Sequence, residues 1–362
     1  MLNKSMTNLP KITDLEIKPG DKVIVRADLD VDLPAGRQVL EKVNETELLR
    51  LNALLPTLNY LLEKKSKIII IGHRGRPEGV RVENLSLKPV CEKLSELLGK
   101  KIEFIPDVLP ETITRNLVML ENLRFEKREE ENDEEFAKSL AGLADFFVNE
   151  AFGSSHRNHA SIIGISKLLP HAAGLRFERE IENLSKALVN PCLPAGRAQK
   201  PVVIIISGVK KDKIEYMNDI ITFADKILIG GRLPEYLNQL PITNYQLPIK
   251  NKIILADLIA DKEDITLHSV EKFKEEIAKA KTIILAGVPG KYEDEGHRQG
   301  TKEVFKAVAD SDAFKIVGGG DSIVAIYMFN IQDKFNWVSV GGGAMLEFLA
   351  KGTLPGIEAL LN

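Results

Sequence analysis

The chain contains only two cysteines, Cys91 and Cys192, in 362 residues. Two cannot build a disulfide framework or a structural zinc site, which points to a reducing compartment. Long apolar runs are missing too. Ile68–Ile71 and Val202–Ile206 are among the longest, and neither approaches the length that spans a bilayer. The opening residues, MLNKSMTNLPKITDL, lack the apolar core of a secretory signal. There is no basic excess either, since 49 Lys and Arg face 52 Asp and Glu for a net charge of −3. That excludes a general nucleic-acid binder, which needs a positive stripe or field. A hydrophobic fraction of 44% excludes wholesale disorder. The expectation is a cytoplasmic protein that engages neither membrane nor nucleic acid, long enough for two domains of ordinary size.

Short β-branched runs alternate with segments of helical period along the whole chain. Candidate strands of a first series are Lys22–Val25, Lys67–Ile71, Lys101–Ile105, Leu117–Leu120 and Asp145–Val148. A second series comprises Val202–Ile206, Lys226–Ile229, Lys252–Leu255, Thr282–Leu285, Phe314–Val317 and Trp337–Val340. Helical spacing marks Glu45–Leu62, Leu87–Leu98, Asp133–Leu143 and Val270–Lys279. Such alternation, with strands apolar throughout, predicts α/β domains with parallel sheets covered on both faces. Between the two series Phe177–Val189 repeats apolar residues at helical spacing and ends at Asn190-Pro191, which predicts a connecting helix and a hinge. Pro56 lies inside the first helical pattern and should kink or break it. The pentad LPAGR occurs at Leu33–Arg37 and again at Leu193–Arg197, and reads as an exposed loop without chemical function.

Ligands of open parallel sheets bind beyond the carboxyl ends of the strands. In the first half those positions are cationic: Arg26 ends one strand, and His73, Arg74 and Arg76 follow the next. Arg124 follows a third, and His156, Arg157 and His159 a fourth, with Arg50 on a helix that can reach the same rim. Singly, each arginine reads as a solvated surface residue. Gathered at several strand ends, guanidinium groups suit a small, multiply anionic molecule, because they pair bidentately with carboxylate and phosphate. A zinc site on His156 and His159 lacks further ligands at suitable spacing.

The second half carries glycine at the same places: Gly208, Gly231, Gly287, Gly318-Gly319-Gly320 and Gly341-Gly342-Gly343. Glycine lets a ligand approach the backbone, and free N–H groups at a following helix start favour phosphate. With Asp321 after one triplet and Lys210, Lys211 and Lys213 after Gly208, the pattern points to a nucleotide with magnesium. Two standard phosphate signatures are absent. GVPGKY at Gly287–Tyr292 lacks the Walker spacing, and no G-x-G-x-x-G opens a helix after a strand, which argues against a dinucleotide-dependent dehydrogenase. An anion half and a nucleotide half joined by a hinge suit phosphoryl transfer with closure around the ligands.

Several blocks are recognisable at this point. RADLDV (Arg26–Val31), RLNALLPT (Arg50–Thr57), GHRGRP (Gly72–Pro77), LENLRF (Leu120–Phe125), NEAFGSSHRNHAS (Asn149–Ser161), GGGDS (Gly318–Ser322) and VSVGGGAMLE with LPG (Val338–Gly356) resemble phosphoglycerate kinase in order and spacing over nearly the whole chain. The resemblance implies two Rossmann-like three-layer α/β/α domains joined by a hinge helix. It places a phosphoglycerate-binding domain at 1–176, an interdomain helix at 177–190, a nucleotide-binding domain at 191–346, and a segment 347–362 that packs back on the first domain. It implies a monomer that performs the glycolytic exchange of a phosphoryl group between 1,3-bisphosphoglycerate and ADP, with Mg2+ and ATP/ADP as co-substrate.

Position by position, the resemblance assigns Asp28, Asp30, Arg50, His73, Arg76, Arg124 and Arg157 to the phosphoglycerate. Arg26, Lys210, Gly320 and Gly343 are assigned to the transferring group. Gly208, Lys213, Gly230, Gly231, Gly287, Glu293, Gly318, Gly319, Asp321 and Ser322 are assigned to the nucleotide, with Asp321 also the magnesium ligand. Some positions depart from the family. Asp30 stands for its Asn, and should repel the substrate unless a neighbouring arginine takes the carboxylate. Ser207 replaces a glycine, Arg232 replaces a glycine where adenine would lie, Ala286 replaces an Asn, Val340 a Thr and Glu150 an Asp. An alternative is therefore a degenerate relative that binds phosphoglycerate-like anions with an impaired nucleotide site.

Overall fold

Runs such as KVIVR, KIIII and VVIII offer no polar face, so they form strands only where helices cover both sides. The computed structural model describes residues 8–31, 45–188, 198–209, 211–237 and 251–362, without the side chains of 45–47 and 211–212. The chain divides into two compact units, Met1–Ile181 with Thr353–Asn362, and Glu182–Gly352. Each is an α/β unit on a six-stranded parallel sheet, the fold class expected.

The first unit contains β1 (Lys22–Arg26), β2 (Lys67–Ile71), β3 (Glu103–Ile105), β4 (Leu117–Leu120), β5 (Phe146–Asn149) and β6 (His171–Ala173), in the order β3-β4-β2-β1-β5-β6. Its helices are α1 (Glu45–Glu63), α2 (Lys88–Leu98), α3 (Lys127–Glu130), α4 (Glu134–Ala141) and α5 (Leu175–Ser185). β1 is central, with Val25 level with Ile70 on one side and Val148 on the other. Strand order reverses about β1, the place where open sheets of this kind leave a crevice. Leu51, Leu54, Leu58 and Leu61 of α1 are buried at helical spacing over Val23, Val25, Ile68 and Ile70, each worth roughly 1.5–3 kcal/mol of burial.

Two expectations need correction. Pro56 does not break α1, which runs through it as one helix. Pro56 and Asn52, whose carbonyl it leaves without an N–H, both lie on the exposed face, where water can serve that oxygen. The first sheet also has a sixth strand that the pattern did not show. β6 is three residues following Pro170, too short for an apolar run to mark.

The second unit contains β7 (Val202–Ile206), α6 (Met217–Phe223), β8 (Lys226–Ile229), α7 (Leu233–Leu237), β9 (Ile253–Leu255), α8 (Leu267–Ile277), β10 (Thr282–Ala286), α9 (Gln299–Asp310), β11 (Phe314–Gly318), α10 (Gly320–Met328), β12 (Trp337–Ser339) and α11 (Gly343–Lys351). Its order, β12-β11-β10-β7-β8-β9, again reverses about its first strand. α12 (Pro355–Leu361) belongs to the first unit, where Gly356 donates its N–H to the Ser155 carbonyl at 2.8 Å. Both LPAGR copies and the hinge loop at Asn190-Pro191 lie outside the described residues.

The start of α5 rests on one buried carboxylate. Glu150, just past β5, accepts from the Arg176 and Phe177 amides at 3.0 Å each and from Thr57 Oγ1 of α1 at 2.5 Å. Gly174 makes room for it, since a Cβ there would lie 2.2 Å from Glu150 Oε2. Burial pushes the Glu150 carboxyl up to about 7, although all three donors favour the anion. A carboxyl whose folded pKa lies above its unfolded value gives stability that is present at low pH and lost as the pH rises through the folded value. Between about pH 4.3 and 7, wild type should therefore lose stability relative to Glu150→Gln, by at most about 1.4 kcal/mol per pH unit. Thermal unfolding of both proteins from about pH 5 to 8 checks this, and a pH-independent difference in Tm refutes it.

Candidate active site

Arg26 is the last residue of β1, so the crevice at the centre of the first sheet begins with its side chain. The guanidinium is wholly buried. Its Nε donates to Ser161 Oγ at 2.8 Å and Nη1 to the Ala27 carbonyl, while Nη2 meets His73 Nδ1 at 2.9 Å. A guanidinium can only donate, so His73 Nδ1 accepts and the neutral ring carries its proton on Nε2. Burial holds His73 well below the ordinary histidine pKa, and Arg26, Arg124 and Arg157 push in the same direction. His73 Nε2 faces Asp30 Oδ2 at 3.8 Å.

The Asp30 carboxylate is not taken by an arginine, as its reading as a tolerated anion required. Its Oδ1 accepts the Gly75 N–H at 2.8 Å, and Arg50 Nη1 reaches its main-chain carbonyl instead. The remaining cations close the crevice. Arg124, in the turn after β4, is 1% exposed; its Nη1 donates to the Gly75 carbonyl at 2.6 Å, and its Nε lies 3.2 Å from Glu130 Oε1. Arg124 Nη2 is buried with no acceptor among the described residues. Burial and then Arg157 lower Arg124 to about 10. Arg157 is lowered by burial and by Arg76, and Asp28 is raised by burial and by Asp30 against Arg50 and Arg26. Arg26 thus feels Asp28, Asp30 and Arg157, His73 feels Arg26, Arg124 and Arg157, and Arg50 and Arg76 act on Asp28 and Arg157 in turn. Guanidinium groups that crowd one another, with one buried donor unmatched, favour an anion between them.

Arg74 turns away from this cluster. It donates to the carbonyls of Val31 at 3.0 Å and Ser86 at 3.4 Å, tying loops together. Sequence reasoning missed the residues that hold the floor. Asn122 accepts from the Arg124 amide and donates to the Arg74 and Leu85 carbonyls. Buried Glu129 of α3 accepts from both the amide and the hydroxyl of Ser161. Asn122 and Ser161 lie within the blocks that carry the resemblance; Glu129 had no signal in sequence.

In the second unit the corresponding rim is made of backbone. Gly231 has φ +59°, and a Cβ there would come within 2.6 Å of the Gly208 main chain. At Gly287, φ +116°, it would come within 1.9 Å of the Ser207 carbonyl oxygen. At Gly231 and Gly287 the loops after β7, β8 and β10 therefore approach main chain to main chain. Lys213 Nζ is seated on the carbonyls of Ser207 at 2.6 Å and Ala286 at 3.3 Å, joining the ends of β7 and β10. Ser322 Oγ accepts the Gly287 N–H at 2.7 Å, and so binds the rim together from α10. Ser207 Oγ fills the space above Gly230.

α10 and α11 begin at Gly320 and Gly343, and a Cβ at either would meet nothing within 4 Å. Packing does not demand glycine there, and the helix-start amides are open to a ligand. Gly318 differs, for its missing Cβ makes room for Met345. Gly319, φ +99°, turns the chain into α10, whose first turn bears exposed Asp321. Exposed Glu293 and Asp321 both act on buried Tyr292, which burial raises above the usual tyrosine pKa. Arg232 pairs with Glu235 at 3.0 Å, and Glu235 also takes Lys262. Lys210 lies outside the described residues. No cluster of three metal-ligating side chains occurs among the described residues.

The family model for phosphoglycerate kinase matches residues 12–247 and 243–352. The chain belongs to the phosphoglycerate kinase family. It is 37% identical to the phosphoglycerate kinase of Thermosipho africanus (strain TCF52B), covering 97% of each chain. It is 36% identical to that of Dictyoglomus turgidum (strain DSM 6724 / Z-1310), over 96% of this chain and 97% of the relative. The structure of phosphoglycerate kinase from Coxiella burnetii superposes with a TM-score of 0.77 at 30% identity, over 97% of this chain and 98% of the other. That of Pyrococcus horikoshii OT3 gives 0.78 at 27% identity with the same coverage.

The tautomer of His73 is open to measurement. Its ring should stay neutral, with the proton on Nε2, to well below the pH at which an ordinary histidine titrates, because burial and three guanidinium groups oppose a second proton. Nitrogen NMR of histidine-labelled protein reads this directly. A His73 that titrates near about 6.5, or carries its proton on Nδ1, contradicts the contact with Arg26.

Proposed function

We propose that the chain catalyses reversible phosphoryl transfer from 1,3-bisphosphoglycerate to ADP, giving 3-phosphoglycerate and ATP, as a step of glycolysis in the cytoplasm. The observation that carries this reading is the guanidinium cluster around Arg26, with a buried Arg124 donor that has no acceptor among the described residues. A compact acid carrying both a phosphate and a carboxylate supplies what that donor lacks. Arg50, Arg76, Arg124 and Arg157 would hold the phosphate and carboxylate of phosphoglycerate, with Asp28, Asp30 and His73 beside them. Arg26 would face the transferring group.

On the second unit, the amides at Gly320 and Gly343 would receive phosphoryl oxygens. The rim at Gly208, Gly230, Gly231, Gly287, Gly318 and Gly319 would shape the nucleotide pocket, with Glu293 on the ribose. Lys210 would serve the migrating group. Lys213 and Ser322 would act through the rim they brace. A single exposed carboxylate, Asp321, fits Mg2+ carried in on nucleotide phosphates, since that ion commonly takes one or two carboxylates and completes its shell with phosphate and water. The bound ion would neutralise phosphate charge. Acid–base chemistry adds little, because the acceptor in the ATP-consuming direction is a carboxylate, ionised near neutral pH. Catalysis then rests on alignment and on cations where negative charge develops. Nothing in the fold or the comparisons favours a degenerate anion-binding relative.

A coupled assay with 3-phosphoglycerate and MgATP tests the reading. Wild type should turn over, and Arg26→Ala should lose about 100-fold or more in kcat, in the range seen when a transition-state donor is removed. Wild-type activity no greater than the variant's defeats the proposal. Asp30 gives a second measurement. Its charge faces a neutral ring rather than a guanidinium, so Asp30→Asn keeps an acceptor for Gly75 and removes a repulsion. Calorimetry should show 3-phosphoglycerate binding tightened about three- to tenfold, as for a partly exposed charge. Unchanged affinity would show that the carboxylate does not act on the ligand.

A further inference from the structure

Among the described residues no carboxylate touches Arg26, although its guanidinium is wholly buried. An isolated charge in that position is costly, and a carboxylate set directly against it would take up the N–H edge that a substrate needs. The charge is answered one atom group away. Ser161, in the turn Ala160–Gly164, presents its hydroxyl oxygen to Arg26 Nε at 2.8 Å. Ser161 Oγ also lies 2.6 Å from Glu129 Oε1, and the Ser161 amide donates to Glu129 Oε2 at 2.9 Å. A hydroxyl has one proton. A carboxylate only accepts and a guanidinium only donates, so that proton points to Glu129 and a lone pair points to Arg26. Glu129 is wholly buried, and His159 Nδ1 lies 3.6 Å from the same oxygen that takes the hydroxyl. Among the charges that act on Arg26, Glu129 is the largest that favours its cationic form.

We propose that Glu129 is a positioning residue for Arg26, acting through the Ser161 hydroxyl. It fixes the hydroxyl rotor, aligns Arg26 from the Nε side, and leaves one N–H on each of Nη1 and Nη2 for the transferring group. The inference rests on the role given above to Arg26.

The test is a set of mutant cycles on the full-length chain, read as kcat in the ATP-consuming direction with saturating 3-phosphoglycerate. Glu129→Gln and Ser161→Ala should each lower kcat about tenfold or more, with the KM for MgATP within about twofold of wild type. The double variant should be no worse than the poorer single, because both break one chain. In an Arg26→Ala background, Glu129→Gln should change kcat by less than about twofold, a result that general loosening of the fold would not give. Ser161→Ala removes one oxygen, so it keeps the test decisive if Glu129→Gln folds poorly. The proposal is overturned if Ser161→Ala leaves kcat within about twofold of wild type, or if the Glu129 and Arg26 effects multiply. An Arg26→Ala enzyme that is itself fully active brings down the assigned role of Arg26 and this inference with it. A dead Arg26→Ala beside a fully active Glu129→Gln brings down the inference alone.

Discussion

A positive charge buried at the end of a central strand organises the first unit. Arg26 cannot reach water, and three neighbours of different kinds hold its donors: a main-chain carbonyl, an imidazole nitrogen and a hydroxyl. Each neighbour is then constrained in turn. His73 must be neutral to accept from Arg26, which leaves its remaining proton toward Asp30. Ser161 must send its proton to Glu129, which draws α3 and the Ala160–Gly164 turn together. The loops after β2, β4 and β5 are thereby fixed by the electrostatic needs of one side chain, and the crevice they surround is cationic as a consequence.

The second unit meets the same topological situation mainly with main chain. Its central strand β7 ends in Ser207-Gly208, and neighbouring loops pack main chain to main chain at Gly208, Gly231 and Gly287. Where the first unit presents guanidinium groups, this one presents amides at the starts of α10 and α11. The difference suits the two ligands proposed. A small acid is discriminated by bidentate cations at fixed distances, whereas phosphates on a longer molecule are received by helix-start N–H groups.

Much of this was legible in sequence because it depends on local pattern. Five strands of the first sheet and all six of the second are apolar runs, and cations follow or end four of the first series while glycines follow five of the second. β6 was invisible because three residues, HAA, carry no period. The passage of α1 through Pro56 depends on which face the proline occupies, and that is set by packing against the sheet. Arg74 and Arg76 look alike in GHRGRP, yet Arg74 is spent on the Val31 and Ser86 carbonyls while Arg76 stays exposed. The sequence left open whether an arginine takes the Asp30 carboxylate, because strand-end geometry decides it, and that geometry delivers the Gly75 amide and the edge of His73. Glu129 lies 32 residues from Ser161, with nothing in the intervening pattern to link them.

The departures from the family pattern bear differently on the two units because recognition differs. In the first unit a side-chain change alters the charge at the proposed acid site, so on that reading Asp30 matters directly. In the second the groups offered are main-chain amides, and side-chain changes reach them only through packing. Ala286 still supplies its carbonyl to the Ser207 amide and to Lys213. Val340 is buried beside the triplet that opens α11. Ser207 fits because Gly230 has no Cβ to meet its hydroxyl. Arg232 is engaged by Glu235 at the surface. Four substitutions that look like decay in the sequence thus leave the glycine rim and both helix starts in place, and a backbone site tolerates them for the same reason that it carries so few side chains.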